Sequence, residues 1–213
     1  MHELATLKQW TDCLADNNGK RPRMNPKNAK GITLARATEL ASSSEHSPNY
    51  GFIFSKDDPY IGFDIDVDPT GKKKNTTTEI PGELLYFLKA NPTHAHYSPS
   101  GHGMHVIYKL DKEGCKKLNE LGLKQNACTT EKGALFNGDW RWDRSFLTFT
   151  QDDHEMSTSE IREIDFDSIA MAIGLSLKED GETEEKAIEQ LVKDEMTWEN
   201  FIILKGVRFD NFD

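Results

Sequence analysis

The chain has 213 residues, more than one average domain uses, so we expect one main domain with an appendage. Hydrophobic residues make up 36% and charged residues 29%, and no apolar run approaches the roughly 18 residues that span a membrane, which excludes a transmembrane protein. The net charge of −10 is unevenly spread: residues 1–150 hold 20 Lys and Arg against 18 Asp and Glu, and residues 151–213 hold 6 against 18, so a polyanionic substrate is not excluded.

The first third of the chain alternates helical and extended patterns. Apolar residues at helical spacing predict a helix over residues 3–16, and a basic, proline-containing loop follows at 20–27. A second helix is predicted from Thr33 to Ala41. Strands are predicted at 50–55 and 60–67, joined by a hairpin-like connection.

The remaining chain adds helices and two further strand pairs. Helices are predicted at 81–90, 112–121, from Ser157 to about Ile173, and over the acidic segment 182–195. Strands are predicted at 94–98, 104–110, 134–137 and 145–150. Hairpins and helices that do not alternate as βαβ units indicate an α+β fold.

The first chemical motif is Asp64-Ile-Asp66 at the end of an apolar strand. Side chains two residues apart share one face of a strand, so both carboxylates point the same way while Ile61, Phe63 and Ile65 fill the other face. Adjacent carboxylates repel one another unless divalent cations such as Mg²⁺ neutralise them. A solvated strand face is the alternative interpretation of this pattern.

The second motif is Ser98-Pro-Ser100-Gly101-His-Gly103-Met-His105. Its glycines allow a turn whose backbone N–H groups converge on an anion, Ser100 adds a hydroxyl, and His105 begins the next strand within reach of a phosphate. A glycine hairpin with a packed histidine is the alternative.

The third motif is Asp139-Trp-Arg141-Trp-Asp143-Arg144, leading into Phe146-Leu-Thr-Phe-Thr150. If the segment is extended, Asp139, Arg141 and Asp143 share one face and combine carboxylates for a metal with a guanidinium for a triphosphate. Ordinary surface ion pairing would also explain the pattern.

The three motifs in this order resemble those of the archaeo-eukaryotic primase superfamily, especially the primase-polymerases of phages and plasmids. The resemblance covers roughly residues 15–152 and includes Arg21-Pro-Arg23-Met-Asn-Pro-Lys27 before the first motif. It implies an RRM-like β-sheet that carries the catalytic carboxylates, plus an N-terminal α/β layer. We therefore expect a catalytic domain over 1–155 and an acidic helical appendage, or the start of a further domain, over 156–213.

The resemblance also implies residue roles. Asp64, Asp66 and a third carboxylate would be the catalytic ligands of two Mg²⁺ or Mn²⁺ ions, and nucleotide phosphates would contact the residues Ser100, Gly101, Gly103, His105 and Arg144. Alignment on the Thr148-Phe149-Thr150 strand makes Asp139 the third carboxylate, whereas alignment on Arg144 makes it Asp143; we favour Asp139.

The implied activity is template-directed nucleotide addition by a DNA primase or polymerase through two-metal phosphoryl transfer. Its partners would be a single-stranded DNA template, nucleoside triphosphates and a replicative helicase, which follows this module in many relatives. Basic loops are expected to grip the DNA through Arg21, Arg23, Lys27, Lys72, Lys73 and Lys74. Three widely spaced cysteines and the absence of a secretory pattern favour a reducing cytoplasm. The resemblance to phage and plasmid proteins implies that this is the cytoplasm of a bacterial or archaeal host cell.

Two other classes of protein remain open at this point. His94-Ala-His96 fits the paired histidines of rolling-circle replication nucleases, with Tyr97 or Tyr108 as the nucleophile, although no tyrosine follows Tyr108. A nucleotide- or DNA-binding replication module without catalysis is the second, and metal-dependent nucleotide incorporation would separate it from a polymerase.

Overall fold

The computed structural model describes residues 2–14, 20–27, 30–43, 46–72, 76–121 and 128–175. In these ranges the fold is α+β, as the sequence predicts. The helices are α1 (His2–Ala5), α2 (Leu34–Ala41), α3 (Gly82–Ala90), α4 (Lys112–Glu120) and α5 (Phe166–Ile173). The strands are β1 (Trp10–Leu14), β2 (Arg21–Pro22), β3 (His46–Ile53), β4 (Tyr60–Ile65), β5 (Ala95–Tyr97), β6 (Met104–Leu110), β7 (Cys128–Thr129), β8 (Gly138–Arg141), β9 (Phe146–Phe149) and β10 (Glu163–Ile164). No helix in the described ranges is long and apolar enough to cross a membrane.

The strands form two sheets. The four-stranded sheet has the order β2-β1-β3-β9 and is antiparallel throughout. The six-stranded sheet has the order β10-β6-β4-β8-β7, with β5 also paired to β6. Its neighbours are antiparallel except for β10, which runs parallel to β6.

Side chains alternate between the two faces of the six-stranded sheet. Along β4, Ile61, Phe63 and Ile65 are buried in a hydrophobic cluster shared with α3, α4 and α5. Burying such a side chain contributes about 1.5–3 kcal/mol, so this cluster fixes which face of β4 is turned inward. Asp64 and, on β6, His105 therefore project from the opposite face.

A second cluster holds α1 and α2 against the four-stranded sheet. Trp10 lies at its centre, with ring centroids 5.3 Å from Phe52 and 5.0 Å from Phe149 in edge-to-face contacts. Its indole N–H donates to the carbonyl of Leu4 at 2.9 Å, which satisfies the polar atom of a fully buried ring.

Two local predictions were wrong at the N-terminal side. The segment predicted as one helix over 3–16 forms a single helical turn and then β1, because Trp10 to Asp12 pair with β3 and are buried in the sheet. The predicted hairpin between 50–55 and 60–67 is not formed either. The two strands enter different sheets, β3 beside β1 and β9, β4 beside β6 and β8.

The C-terminal side also differs locally from the sequence prediction. Residues 134–137 form no strand, and β8 begins at Gly138 instead. The helix predicted to begin at Ser157 begins at Phe166, where the Asp165 side chain accepts the N–H of Ser168 as the cap. The Ser157 hydroxyl accepts the N–H of Ala95 at 3.0 Å.

A compact unit comprises Met1–Leu175, so it extends past the domain edge expected at residue 155. Within it β10 pairs with β6, and α5 contributes buried side chains to the cluster behind β4. The predicted acidic helix at 182–195 lies outside the described residues.

Candidate active site

Five residues from five strands lie in one line across the six-stranded sheet. Asp64 on β4 is paired directly with His105 on β6 and with Asp139 on β8. The same line continues to His96 on β5 and to Thr129 on β7. Residues paired in this way point to the same face of the sheet. The sheet therefore brings together one residue from each of the three motifs: Asp64, His105 and Asp139. We call these five residues the cross-strand row.

Arg141 joins the two carboxylates of the row. It follows Asp139 by two positions on β8 and therefore shares its face. Its Nη2 lies 2.8 Å from Oδ2 of Asp64 and 3.1 Å from Oδ2 of Asp139, and its side chain is 19% exposed. Thr129 donates to the other oxygen of Asp139 at 3.0 Å. The sequence pattern places Arg141 on this face but does not show that it bridges the carboxylates.

His105 holds Asp64 from the other side. Its Nε2 lies 3.1 Å from Oδ1 of Asp64, and its Nδ1 lies 2.6 Å from the carbonyl oxygen of Thr148. Both ring nitrogens thus face an oxygen atom of the protein. The ring is 4% exposed, so His105 fixes one carboxylate oxygen of Asp64 in a defined position.

The positive groups around Asp64 keep it ionised. Burial is the largest single influence on the pKa of Asp64 and would raise it. The hydrogen bond from His105 and the charges of His105 and Arg141 outweigh burial and hold this pKa well below its usual range. Asp64 is therefore held as an anion at neutral pH.

Glycines on the neighbouring strands allow the backbone to approach the end of β4 closely. A Cβ on Gly138 would fall on the carbonyl oxygen of Asp64, and a Cβ on Gly103 would fall on that of Ile65. Gly138 also has φ of +150°, which side-chain-bearing residues rarely adopt. Asp66 follows β4 directly, is half-buried, and donates its N–H to Asn137 at 2.9 Å.

The loop of the second motif lies at this same end of the sheet. Met104, the first residue of β6, pairs with Ile65, and the loop is closed by a bond from the Ser98 N–H to the Gly103 carbonyl at 2.8 Å. The hydroxyls of Ser98 and Ser100 are 2.8 Å apart. The Gly101 N–H donates to the Ser98 carbonyl at 2.8 Å, so it faces into the loop and away from the expected anion.

Arg144 and Asp143 lie apart from the row, in the turn between β8 and β9. The Asp143 carboxylate is buried and accepts the N–H of Lys56 at 3.1 Å, and it lies 3.9 Å from Nε of Arg144. Asp139, and not Asp143, is the residue opposite Asp64. Arg144 lines a separate cavity, and no residue of the row is among the residues that line it.

The predicted DNA-gripping residues are spread over the surface of the described chain. Arg23 pairs with the buried Asp12 at 2.6 Å, which gives it a structural role beside β1. Arg21, Lys27 and Lys72 are exposed. Lys73 and Lys74 lie outside the described residues.

The paired histidines of the nuclease alternative are core residues. His94 and His96 are 3% and 0% exposed, and both stack on Phe149, at 5.9 and 4.5 Å between centroids. Burial and the charge of His105 lower the pKa of His96 well below its usual value, so its ring is neutral and donates from Nε2 to Thr148 at 2.9 Å. Tyr108 is also fully buried. This packing gives no accessible histidine pair beside a tyrosine.

The row nevertheless has the chemistry of a hard-cation site. In the described ranges no three His, Cys, Asp or Glu side chains form a ready-made metal-binding group. Asp64 and Asp139 offer only oxygen donors, which Mg²⁺ and Mn²⁺ prefer, and both converge on one point where Arg141 already places a positive charge. These residues fit a divalent cation if Arg141 withdraws.

Comparison with protein-family models found no match to the chain, and comparison with curated proteins found none either.

Proposed function

We propose that the chain is a metal-dependent nucleotidyltransferase of the primase-polymerase type, which adds nucleotides along a single-stranded DNA template. The observation that supports this most is the direct pairing of Asp64 with both Asp139 and His105. Each of these residues comes from a different motif, and the order of the motifs along the chain resembles that of primase-polymerases. The bulk of the described chain, with its RRM-like carboxylate-bearing sheet, would be the catalytic core.

In this proposal Asp64, Asp66 and Asp139 would hold two Mg²⁺ or Mn²⁺ ions. When bound, such ions screen the charge of a triphosphate and activate a 3′-hydroxyl for attack. Asp64 is suited to this role because it stays ionised and because His105 contacts its Oδ1 and holds that oxygen in position. His105 would thus be a positioning residue for the ligand Asp64, since the ring is buried and both of its nitrogens already face oxygen atoms of the protein.

Arg141 would act in two positions. Without a divalent ion it lies between Asp64 and Asp139 and neutralises their repulsion, at 2.8 and 3.1 Å. When the carboxylates are otherwise neutralised, its guanidinium is free to turn toward the triphosphate, which it can bind with two parallel hydrogen bonds. The side chain of Ser100, exposed on the loop beside Gly103, would contact the same phosphates.

The test is nucleotide incorporation on primed and unprimed single-stranded templates with Mg²⁺ or Mn²⁺. We expect the wild type to extend the primer and Asp64→Asn to lose this activity by at least about 10²-fold, because a charged ligand becomes neutral. Asp167→Asn is the matched control, since Asp167 is exposed on α5, which packs against the face of the sheet opposite to the row. A wild type that incorporates nothing on either template contradicts the proposal.

The position of Arg141 specifically favours one alternative, a nucleotide- or DNA-binding module without catalysis, in which the guanidinium permanently replaces the ions. Calorimetric titration with Mn²⁺ separates the two. If the chain is a polymerase, the wild-type protein should bind Mn²⁺. Arg141→Met should then bind it more tightly, because the competing guanidinium is gone. The inactive module predicts no Mn²⁺ binding by the wild type and no incorporation.

A further inference from the structure

A cavity of about 500 Å³ opens where four connections meet, beside the start of β1 and the end of β3. Its walls come from the link between α1 and β1, from residues 30–31 before α2, from the turn between β3 and β4, and from the turn between β8 and β9. None of its lining residues belongs to the cross-strand row. We call it the basic cavity.

The charged residues of the basic cavity are mostly positive. Four of its lining residues are Lys or Arg and two are Asp, in a chain whose net charge is −10. The cationic residues are Lys8, Lys30, Lys56 and Arg144. Of the two acids, Asp143 already accepts the N–H of Lys56 and lies beside Arg144. Such a concentration of cations raises the local concentration of anions.

The walls of the cavity are held by hydrogen bonds, so its shape does not depend on a ligand. The Gln9 side chain donates to the Ile53 carbonyl at 2.8 Å and to Asp58 at 2.5 Å, which ties the first link to the β3–β4 turn. The two turns are tied to each other where Phe54 pairs with Arg144 and Ser145 through backbone bonds of 2.9 Å. The exposed ends of the lysines remain available above this frame.

The backbone of the β8–β9 turn is strained at the cavity. Asp143 has φ of +24° and Arg144 has φ of +53°, two consecutive residues in a region that favours glycine. Such strained residues are concentrated at functional sites. Both strained residues line the cavity, and Asp143 is buried there.

We propose that the basic cavity binds a terminal phosphate, carried either by the 5′ end of a nucleic-acid strand or by a free nucleotide. A terminal phosphate carries nearly two negative charges at neutral pH, twice that of a backbone phosphodiester, and so matches a cluster of four cations better. A concave site enclosed by four connections also suits an end group better than a continuous strand. The site is separate from Asp64 and Asp139, and it stands whether or not the row catalyses nucleotide transfer.

The experiment compares two labelled single-stranded oligonucleotides of one sequence, with a 5′-phosphate or a 5′-hydroxyl, by fluorescence anisotropy in EDTA. Chelation keeps divalent ions from linking the DNA to the carboxylates. We expect the full-length wild type to bind the 5′-phosphate form about 10-fold more tightly or more, because charge-assisted contacts are added. Lys8→Gln with Lys56→Gln should remove this preference, whereas Lys112→Gln with Lys116→Gln, an equal charge change on exposed positions of α4, should keep it.

Two further arms identify the source and the place of the phosphate. The cavity binds a free nucleotide if two results occur together. The 5′-phosphate does not raise the affinity for the oligonucleotide, and ATP displaces either oligonucleotide from the wild type but not from the Lys8→Gln, Lys56→Gln variant. Asp64→Asn should retain the cavity's preference even where it abolishes incorporation, which keeps this test independent of the proposed function. The proposal is overturned if the wild type and the Lys8→Gln, Lys56→Gln variant bind every probe with equal affinity. It is also overturned if Asp64→Asn loses the preference for the 5′-phosphate oligonucleotide.

Discussion

Substituting Gly138 by alanine should destabilise the protein more than any other glycine substitution in the six-stranded sheet. The added Cβ would fall on the carbonyl oxygen of Asp64, a backbone atom that cannot move without displacing β4. The φ of +150° adds strain of its own, roughly 1–3 kcal/mol for a residue other than glycine.

The size of the effect follows from the bonds around Gly138. Moving Gly138 away from Asp64 displaces its own carbonyl and that of Asn137. This weakens the bond from Thr130 N–H to Gly138 at 3.0 Å and the bond from Asp66 N–H to Asn137 at 2.9 Å, each worth about 1 kcal/mol. Together with the strain, the loss in the free energy of unfolding is about 3–5 kcal/mol. Because small domains have about 5–15 kcal/mol in total, Gly138→Ala should fold poorly or melt at a much lower temperature.

The assay is urea unfolding followed by tryptophan fluorescence, with two glycine controls. Gly101→Ala has φ of +76° but no atom within 4 Å of the added Cβ, so it should lose only about 1 kcal/mol through backbone strain. Gly82→Ala, at the first residue of α3 and also in open space, should be neutral or slightly stabilising. If Gly138→Ala lost no more than Gly101→Ala, the close approach of β8 to Asp64 would be refuted.

Three smaller predictions use other contacts. Burial raises the pKa of Asp58 from 3.8 to about 6, so the contribution of Asp58 to the free energy of unfolding is full below about pH 4 and is lost as the pH rises through 6. This pH-dependent contribution is at most about 3 kcal/mol. In unfolding measured from about pH 4 to 8, Asp58→Asn should remove it. Asp139→Asn should abolish primer extension and Asp143→Asn should largely keep it, since only the former lies opposite Asp64; the reverse ranking would move the third ligand to Asp143. Asp165→Ala should cost about 1 kcal/mol in chemical unfolding, because the cap of α5 to Ser168 is lost, and an unchanged midpoint would contradict this.

Alternation along a single strand is what the sequence predicts best. The apolar and acidic positions of residues 60–67 predict that Ile61, Phe63 and Ile65 lie in the core and that Asp64 lies on the other face, and this is confirmed. The predicted bounds of β6 and α3 are also close to those in the structure, because each is marked by strong periodicity and by a proline or glycine at its end.

Pairing between distant segments could not be predicted in the same way. Asp64 and Arg141 are 77 positions apart, and nothing in either strand alone specifies that they meet. The β3–β4 connection looks like a hairpin because its length is right, yet burial of both strands on different cores separates them. The N-terminal apolar spacing is helical, but pairing of Trp10 with β3 outweighs that local preference.

The cross-strand row has a consequence for how related chains can differ in length. Each strand contributes one residue to the row. Because side chains alternate along a strand, adding or removing one residue within β4, β6 or β8 would turn the side chains that follow toward the helix-covered face. Extra residues in a connecting loop leave those faces unchanged. Alignment gaps in relatives of this chain are therefore expected between β4 and β5 or between β6 and β7, and not between Tyr60 and Asp64.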